Sequence, residues 1–135
     1  MRDEDLGRAR RVHRHAWLWE PLEADPGFII STMFGIKVVY LDSRIVLGFA
    51  AKEEPWRGLL LCTEREHHAS LQAEFPGLSP HPILPKWLYL PESSDAFERV
   101  GERMVELAFR RDPRIGVVPK PKRRKAPAAR RKGRR

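Results

Sequence analysis

Three short apolar runs that follow one another between residues 28 and 50 constrain the fold of this chain most. Phe28–Met33, Ile36–Leu41 and residues 45–50 are rich in β-branched and aromatic side chains, and only a few residues separate them. Such runs predict strands. Asp42-Ser43 is a plausible two-residue hairpin turn. Strands joined by turns this short pair antiparallel, so this part of the chain predicts a meandering sheet.

The rest of the chain predicts helices and two further strands. Helices are expected over residues 5–20, 63–75 and 95–111, and strands over residues 59–62 and 87–90. Together with the three runs, these elements predict an α+β fold: an antiparallel sheet of about five strands with helices packed on it, in the order α-β-β-β(-β)-α-β-α.

Local signals refine this reading. Thr63 with Glu66, and Asp95 with Glu98, have the spacing of capping boxes at helix starts. The last helix carries an apolar stripe made of Phe97, Val100, Met104, Leu107 and Ala108. In the third strand, alternation predicts that Ile45, Leu47 and Phe49 share one face and Val46, Gly48 and Ala50 the other. Residues 115–118 are either a short strand or a docked extended segment.

The charge of the chain is concentrated at its C-terminal end. Residues 1–118 hold 16 Lys+Arg and 18 Asp+Glu, a net −2, whereas residues 119–135 hold ten cations and no acid, which gives the formal +8. The tail has no large apolar residue, so it cannot offset its ordering entropy by burial. We therefore predict a folded domain over residues 1–118 and a disordered basic tail over 119–135.

A run of ten cations without acids is typical of a segment that binds a polyanion. It would release counterions from a nucleic-acid backbone and bind DNA or RNA without sequence preference. No aromatic residue interleaves the tail, so base stacking on it is not expected. The residues predicted to contact phosphates are Lys120, Lys122, Arg123, Arg124, Lys125, Arg130, Arg131, Lys132, Arg134 and Arg135. The alternative is a tail that only solubilises the chain.

Composition and motifs set limits on the class of protein. No apolar run approaches the roughly 20 residues of a membrane span, so no membrane partner is expected. The charged residues 1–5 are not followed by an apolar segment that resembles the core of a secretory signal. The one cysteine, Cys62, cannot form an internal disulfide. A reducing cytoplasm is therefore the expected compartment.

No residue pattern reaches a catalytic or metal-binding signature, and we predict a non-enzymatic protein without cofactor or metal. Glu64 and His67 have Glu-x-x-His spacing, but only one copy is present. Cys62 precedes a helix start, where a thiol pKa can fall, yet a strand-end cysteine is more often a small buried hydrophobe. An enzyme would require Cys62, Glu64 and His67, His68 or His81 to converge in one pocket.

Aromatic residues near lysines supply a weaker candidate surface. Trp87 and Tyr89 are predicted to share one face of a strand, with Lys86 beside them. Exposed, they would stack on bases or grip a ligand, and buried, they would belong to the core; the core is the favoured interpretation. Lys86 and Trp87 are retained as a possible second contact surface. Trp56-Arg57 is a similar candidate in a loop.

One short motif resembles a known family. Met33-Phe34-Gly35, followed by a strand that ends at Tyr40-Leu41-Asp42 and a second strand from Arg44, resembles the TfoX/Sxy N-terminal domains over roughly residues 10–115. Ile36 and Ser43 stand where those domains usually have glycine. The Lys86-Trp87 strand before the last helix is similar to the related YjbR/MmcQ-like domains.

The resemblance implies a helix, three strands, a helix, two strands and a final helix. It implies no catalytic residue. Nucleic-acid binding has been proposed for YjbR-like domains, which is an analogy at the level of fold. The sequence therefore predicts a small regulatory module that associates with nucleic acid through its tail and whose domain contacts a protein partner or positions the complex. The alternative is a protein- or small-ligand-binding domain with an incidental tail.

Overall fold

The computed structural model describes residues 13–119, which form one antiparallel sheet with helices on one of its faces. In chain order the elements are α1 (Ala16–Trp19), a 3-10 turn (Glu20–Leu22), β1 (Phe28–Met33), β2 (Ile36–Leu41), β3 (Arg44–Ala51), β4 (Arg57–Leu61), a 3-10 turn (Arg65–His67), α2 (His68–Glu74), β5 (Ser79–Pro80), β6 (Leu88–Pro91) and α3 (Phe97–Phe109). The strands lie in the order β1-β2-β3-β4-β6-β5. The predicted α+β architecture is confirmed, with a sixth strand because Ser79–Pro80 pairs with β6.

The first two hairpins set the register of the sheet. β1 and β2 occupy the predicted residues, and Met33 pairs with Ile36 across the first turn. Phe34 and Gly35 have φ of 57° and 75° there, and Asp42 and Ser43 have φ of 53° and 69° in the second turn. Two successive left-handed residues are what a type I′ turn requires, and its twist matches that of paired strands.

A β-bulge in β3 overturns part of the predicted alternation. Val39 pairs with Leu47 and Tyr40 with Ile45, so Val46 has no residue opposite it. The extra residue shifts the phase of the strand. Val46 and Leu47 therefore both join the core beneath the helices, whereas Ile45 lies on the other face. The prediction that Ile45 shares a face with Leu47 was wrong for this reason.

The main core lies between the sheet and the helices. The predicted apolar stripe of α3 is confirmed, since Phe97, Val100, Met104, Leu107 and Ala108 are all buried. This stripe packs with Leu18 and Leu22 near the N-terminal end and with Phe49 of β3. α2 adds Leu71 to the same cluster. All three α-helices described thus lie on one face of the sheet.

Both predicted capping boxes are absent. α3 begins at Phe97 with Ala96 as its N-cap and no side-chain cap bond. The segment 65–74 begins with a 3-10 turn rather than an α-helix starting at Thr63. The Thr63 hydroxyl instead donates to the Arg114 carbonyl at 2.6 Å. The partner of this side chain is distant in the sequence, so the local spacing of Thr63 and Glu66 does not reveal it.

The ends of the described chain also differ in detail from expectation. Of the helix predicted over 5–20, residues 5–12 lie outside the described range, and the remainder is the four-residue α1 followed by a 3-10 turn that contains Pro21. Residues 115–118 form a docked extended segment, in which Val117 bridges to Ile45. Among residues 13–119, the longest helix has 13 residues, too few to cross a membrane.

Candidate nucleic-acid interface

The sheet face opposite the helices, called here the outer face, carries two small apolar clusters. One is built on Ile36, Ala50, Leu60 and Tyr89, and the other on Val38, Ile45 and Cys62. No helix described in residues 13–119 covers them. Instead, loop and edge residues pack over them: Met33, Tyr40, Trp56, Leu84, Trp87 and Val117. These covering side chains are partly exposed, so the outer face presents apolar and aromatic groups to solvent.

Of the predicted second surface, Trp87 lies on this face, and Lys86 is its neighbour in the chain. Trp87 immediately precedes β6, is half-buried, and packs against both outer clusters. Lys86 is exposed, and its Nζ lies 3.4 Å from Glu64 Oε1. The Lys86 carbonyl accepts a hydrogen bond from His68 Nε2 at 2.8 Å. Trp87 is therefore held in place while part of its ring remains accessible.

Tyr89 belongs to the core, as the favoured interpretation held. It is 5% exposed. Its hydroxyl accepts a hydrogen bond from the Arg57 amide at 2.8 Å and lies 2.7 Å from Glu54 Oε1, to which it can donate. Burial, with the adjacent Glu54 carboxylate, raises the pKa of Tyr89. Tyr89 thus anchors the loop before β4, and its buried ring is not accessible for stacking.

Two further aromatic residues extend the outer face beyond Trp87. Trp56 was a candidate from the sequence, and its ring centroid lies 6.2 Å from that of Phe34 with 30° between the planes. Phe34 was missed: it is 55% exposed at the tip of the first hairpin. A signal was present, because turn positions with positive φ usually hold Gly, Asn or Asp rather than a large apolar residue.

His81 fixes the position of Trp56. It is fully buried, its Nε2 donates to the Pro55 carbonyl at 2.7 Å, and its Nδ1 accepts from the amides of Ile83 and Leu84, each at 3.1 Å. Desolvation lowers the pKa of His81, which keeps the imidazole neutral. Its ring lies 4.4 Å from Trp56, centroid to centroid. All of its hydrogen-bonding capacity serves the fold.

The C-terminal segment leaves the described structure on the outer face. Val117 and Ile45 exchange two backbone hydrogen bonds of 2.9 Å, and the Gly116 amide donates to the Cys62 carbonyl at 2.8 Å. The Val117 side chain packs against the same cluster as Trp87. All ten predicted phosphate-contacting cations lie between positions 120 and 135, outside the described residues. Their point of attachment is nevertheless next to the predicted second surface.

The other reactive side chains do not assemble. Cys62 is fully buried, and desolvation raises the pKa of its thiol, so it is the small buried hydrophobe favoured from the sequence. His67 lies 3.4 Å from Glu66, and His68 bonds the Lys86 carbonyl. Within residues 13–119, no three metal-ligating side chains come together. The absence of an enzymatic activity stays a prediction.

The helix side carries a different kind of surface. An apolar groove of about 400 Å³ runs between α1 and α3. Trp17 and Phe109, which are 40% and 52% exposed, form its walls, and Glu102 and Glu106 are also among its lining residues. This groove faces away from the point where the tail begins, because it lies across the sheet from Val117.

Comparisons with known proteins add no assignment. A scan against protein-family models, a search of curated proteins and a search of solved structures each found no match. The resemblance to the TfoX/Sxy N-terminal domains therefore stays a prediction.

Proposed function

We propose that this chain is a small, non-enzymatic regulatory module that associates with nucleic acid, with a folded part of the TfoX N-terminal type and a basic tail. The observation that carries the proposal is the position of the tail's attachment. Val117 and Trp87 pack against the same buried cluster, so ten cations begin beside a partly exposed aromatic surface. Phosphate contact by the tail and contact by the outer face would then involve one nucleic-acid molecule.

The tail supplies the affinity in this proposal. Each cation that neutralises a phosphate releases counterions, and the logarithm of the affinity falls with that of the salt concentration by about 0.9 per contact on duplex DNA. Ten engaged cations would give a slope of about −9. The net charge of −2 on residues 1–118 provides no comparable attraction. Binding should therefore be steep in salt and tolerant of sequence.

The test is a salt series with the full chain and a chain that ends at Val118, each on duplex DNA and on RNA. The proposal expects the shortened chain to lose nearly all affinity at low salt and nearly all of the salt slope. Equal affinity of the two chains would show that the tail does not contribute to nucleic-acid binding.

A pair of matched variants tests the outer face. Lys86→Ala removes an exposed cation next to Trp87, and Arg110→Ala removes one from the end of α3, where the side chain is 68% exposed. The proposal expects the Lys86 variant alone to bind less tightly. Equal affinity of both variants would confine nucleic-acid contact to the tail.

A second candidate function rests on the groove between α1 and α3. Its apolar walls at Trp17 and Phe109 favour a protein or small-ligand partner, with the tail incidental. This reading predicts that the chain ending at Val118 retains the partner and that Phe109→Ala loses it. The measurement is a pull-down with the full chain, the shortened chain and Phe109→Ala. A protein captured by the first two but not by Phe109→Ala would support the groove as the functional site rather than nucleic-acid binding.

A further inference from the structure

We infer that the nucleic acid bound by the proposed function is single-stranded, and that Phe34 and Trp56 form a stacking platform for its bases. This inference rests on the proposed function. It adds a class of ligand, single-stranded nucleic acid, and a contact residue, Phe34. Binding through the tail alone would require neither. Its basis is the arrangement of the aromatic patch, defined as Phe34, Trp56 and Trp87 with the neighbouring Ile83 and Leu84.

Part of the aromatic patch is exposed to solvent, as stacking with a ligand requires. Phe34 and Ile83 are 55% and 58% exposed, respectively. The rings of Phe34 and Trp56 are inclined by only 30°, with centroids 6.2 Å apart, so they offer adjacent faces of similar orientation. Leu84 and Trp87 pack with Trp56 on one outer cluster, which makes the patch continuous. Two neighbouring ring faces suit one or two unstacked bases.

The platform is held before any ligand arrives. Trp56 is fixed by the His81 ring, which is itself held by three hydrogen bonds. The left-handed turn places Phe34 at the hairpin tip, where its ring lies 6.2 Å from that of Trp56. A surface that is already ordered loses little entropy on binding. A fixed, half-buried Trp56 ring beside an exposed Phe34 ring is therefore suited to stacking.

The charges around the patch nearly balance. Lys52 lies at the first hairpin, where its Nζ fills the space in which a side chain at Gly35 would begin. Arg57 donates to the Lys52 carbonyl at 3.0 Å. Glu53 and Glu54 belong to the same loop and are exposed. The patch thus provides little net attraction for phosphate, so it would supply stacking while the tail supplies charge.

This division of roles selects single strands over duplexes. Bases inside a duplex are stacked on one another and present no free ring face to a protein surface, whereas every base of a single strand does. A duplex would engage the tail without stacking on the patch. A single strand would engage the tail and the patch together, so loss of the patch should weaken binding of the single strand and leave binding of the duplex unchanged.

The experiment compares full-length variants on oligothymidylate of about 12 nucleotides, a length within the range that aromatic-lined sites cover, and on a duplex of the same length. Phe34→Asn removes the ring and keeps a residue that tolerates a left-handed backbone. Phe109→Ala is the control, since Phe109 is 52% exposed on the helix side. Circular dichroism verifies that both variants fold, and Phe34→Trp provides a variant that retains stacking.

Phe34→Asn is expected to lose about fivefold or more in affinity for the single strand, which corresponds to one stacked base. Its affinity for the duplex and its salt slope should not change, because stacking releases no counterions from the tail. Phe109→Ala should match the natural sequence on both ligands, and Phe34→Trp should keep single-strand affinity.

Two results would overturn the inference alone: a Phe34→Asn chain that loses as much affinity for the duplex as for the single strand, or Phe34→Asn and Phe109→Ala chains with equal effects on the single strand. A full chain that binds neither ligand at low salt would overturn the proposed function as well.

Discussion

The buried His15 is expected to make the stability of this fold fall steeply in mild acid. Its side chain is 4% exposed, and its Nε2 lies 3.0 Å from Glu92 Oε1. Its ring packs against Phe97, with centroids 5.1 Å apart. Burial lowers the pKa of His15 from its ordinary 6.5 to about 4, and the Glu92 carboxylate offsets only part of that desolvation.

The direction and size of the effect follow from proton linkage. Because the pKa of His15 is lower in the folded than in the unfolded chain, the unfolded chain binds the additional proton and acid favours unfolding. The stabilising contribution is complete above about pH 6.5 and is lost as the pH falls toward 4. At about pH 4.5 the loss from this one group is about 2–3 kcal/mol. Burial also lowers the pKa of His13 and of His81, and both act in the same direction.

Urea denaturation at several pH values between about 7.5 and 4.5 measures this dependence. His15→Leu removes the titrating group, so its free energy of unfolding should fall by about 2–3 kcal/mol less than that of the natural sequence over this range. Thr63→Val is the control, since it removes a part-buried hydrogen bond but no titrating group and should lower stability equally at every pH. A His15→Leu chain that loses as much stability toward acid as the natural sequence would refute the reasoning.

Three further substitutions test the packing and turn assignments by the same denaturation measurement. Met104→Ala empties a site that is 0% exposed and should cost about 2–5 kcal/mol; a cost under about 1 kcal/mol would contradict its place in the core. Thr63→Val removes the 2.6 Å hydrogen bond to the Arg114 carbonyl and should cost about 1–3 kcal/mol, and a neutral effect would argue against that bond. Ser43→Gly relieves a φ of 69° and should raise stability by up to about 1 kcal/mol, whereas destabilisation would mean that the turn is not left-handed there.

The strands and the last helix were predictable because their signals are local. β1 and β2 are continuous apolar runs bounded by turn residues, and the stripe of α3 repeats at helical spacing over 13 residues. Features that depend on contacts with residues distant in the sequence were not predictable. Thr63 has the sequence of a cap, yet Arg114, 51 residues away, offers its hydroxyl a carbonyl acceptor. The bulge at Val46 likewise follows from its pairing with β2.

The candidate site was predictable only in part, for the same reason. Lys86 and Trp87 were identified from one short block, and the structure places Trp87 on the outer face. That Val117 packs beside Trp87 depends on the pairing of Val117 with Ile45, 72 residues earlier in the chain. Phe34 adjoins Trp56 only because the hairpin tip approaches the loop before β4. Local sequence patterns carry no information about either contact.

The salt dependence of nucleic-acid affinity, measured for the full chain and for the chain that ends at Val118, tests the central claim most directly. The account predicts a steep slope for the full chain, up to about −9 on duplex DNA and about −7 on a single strand, and near-loss of binding without the tail. A shortened chain with the same slope and affinity would contradict the claim that the tail binds the phosphates.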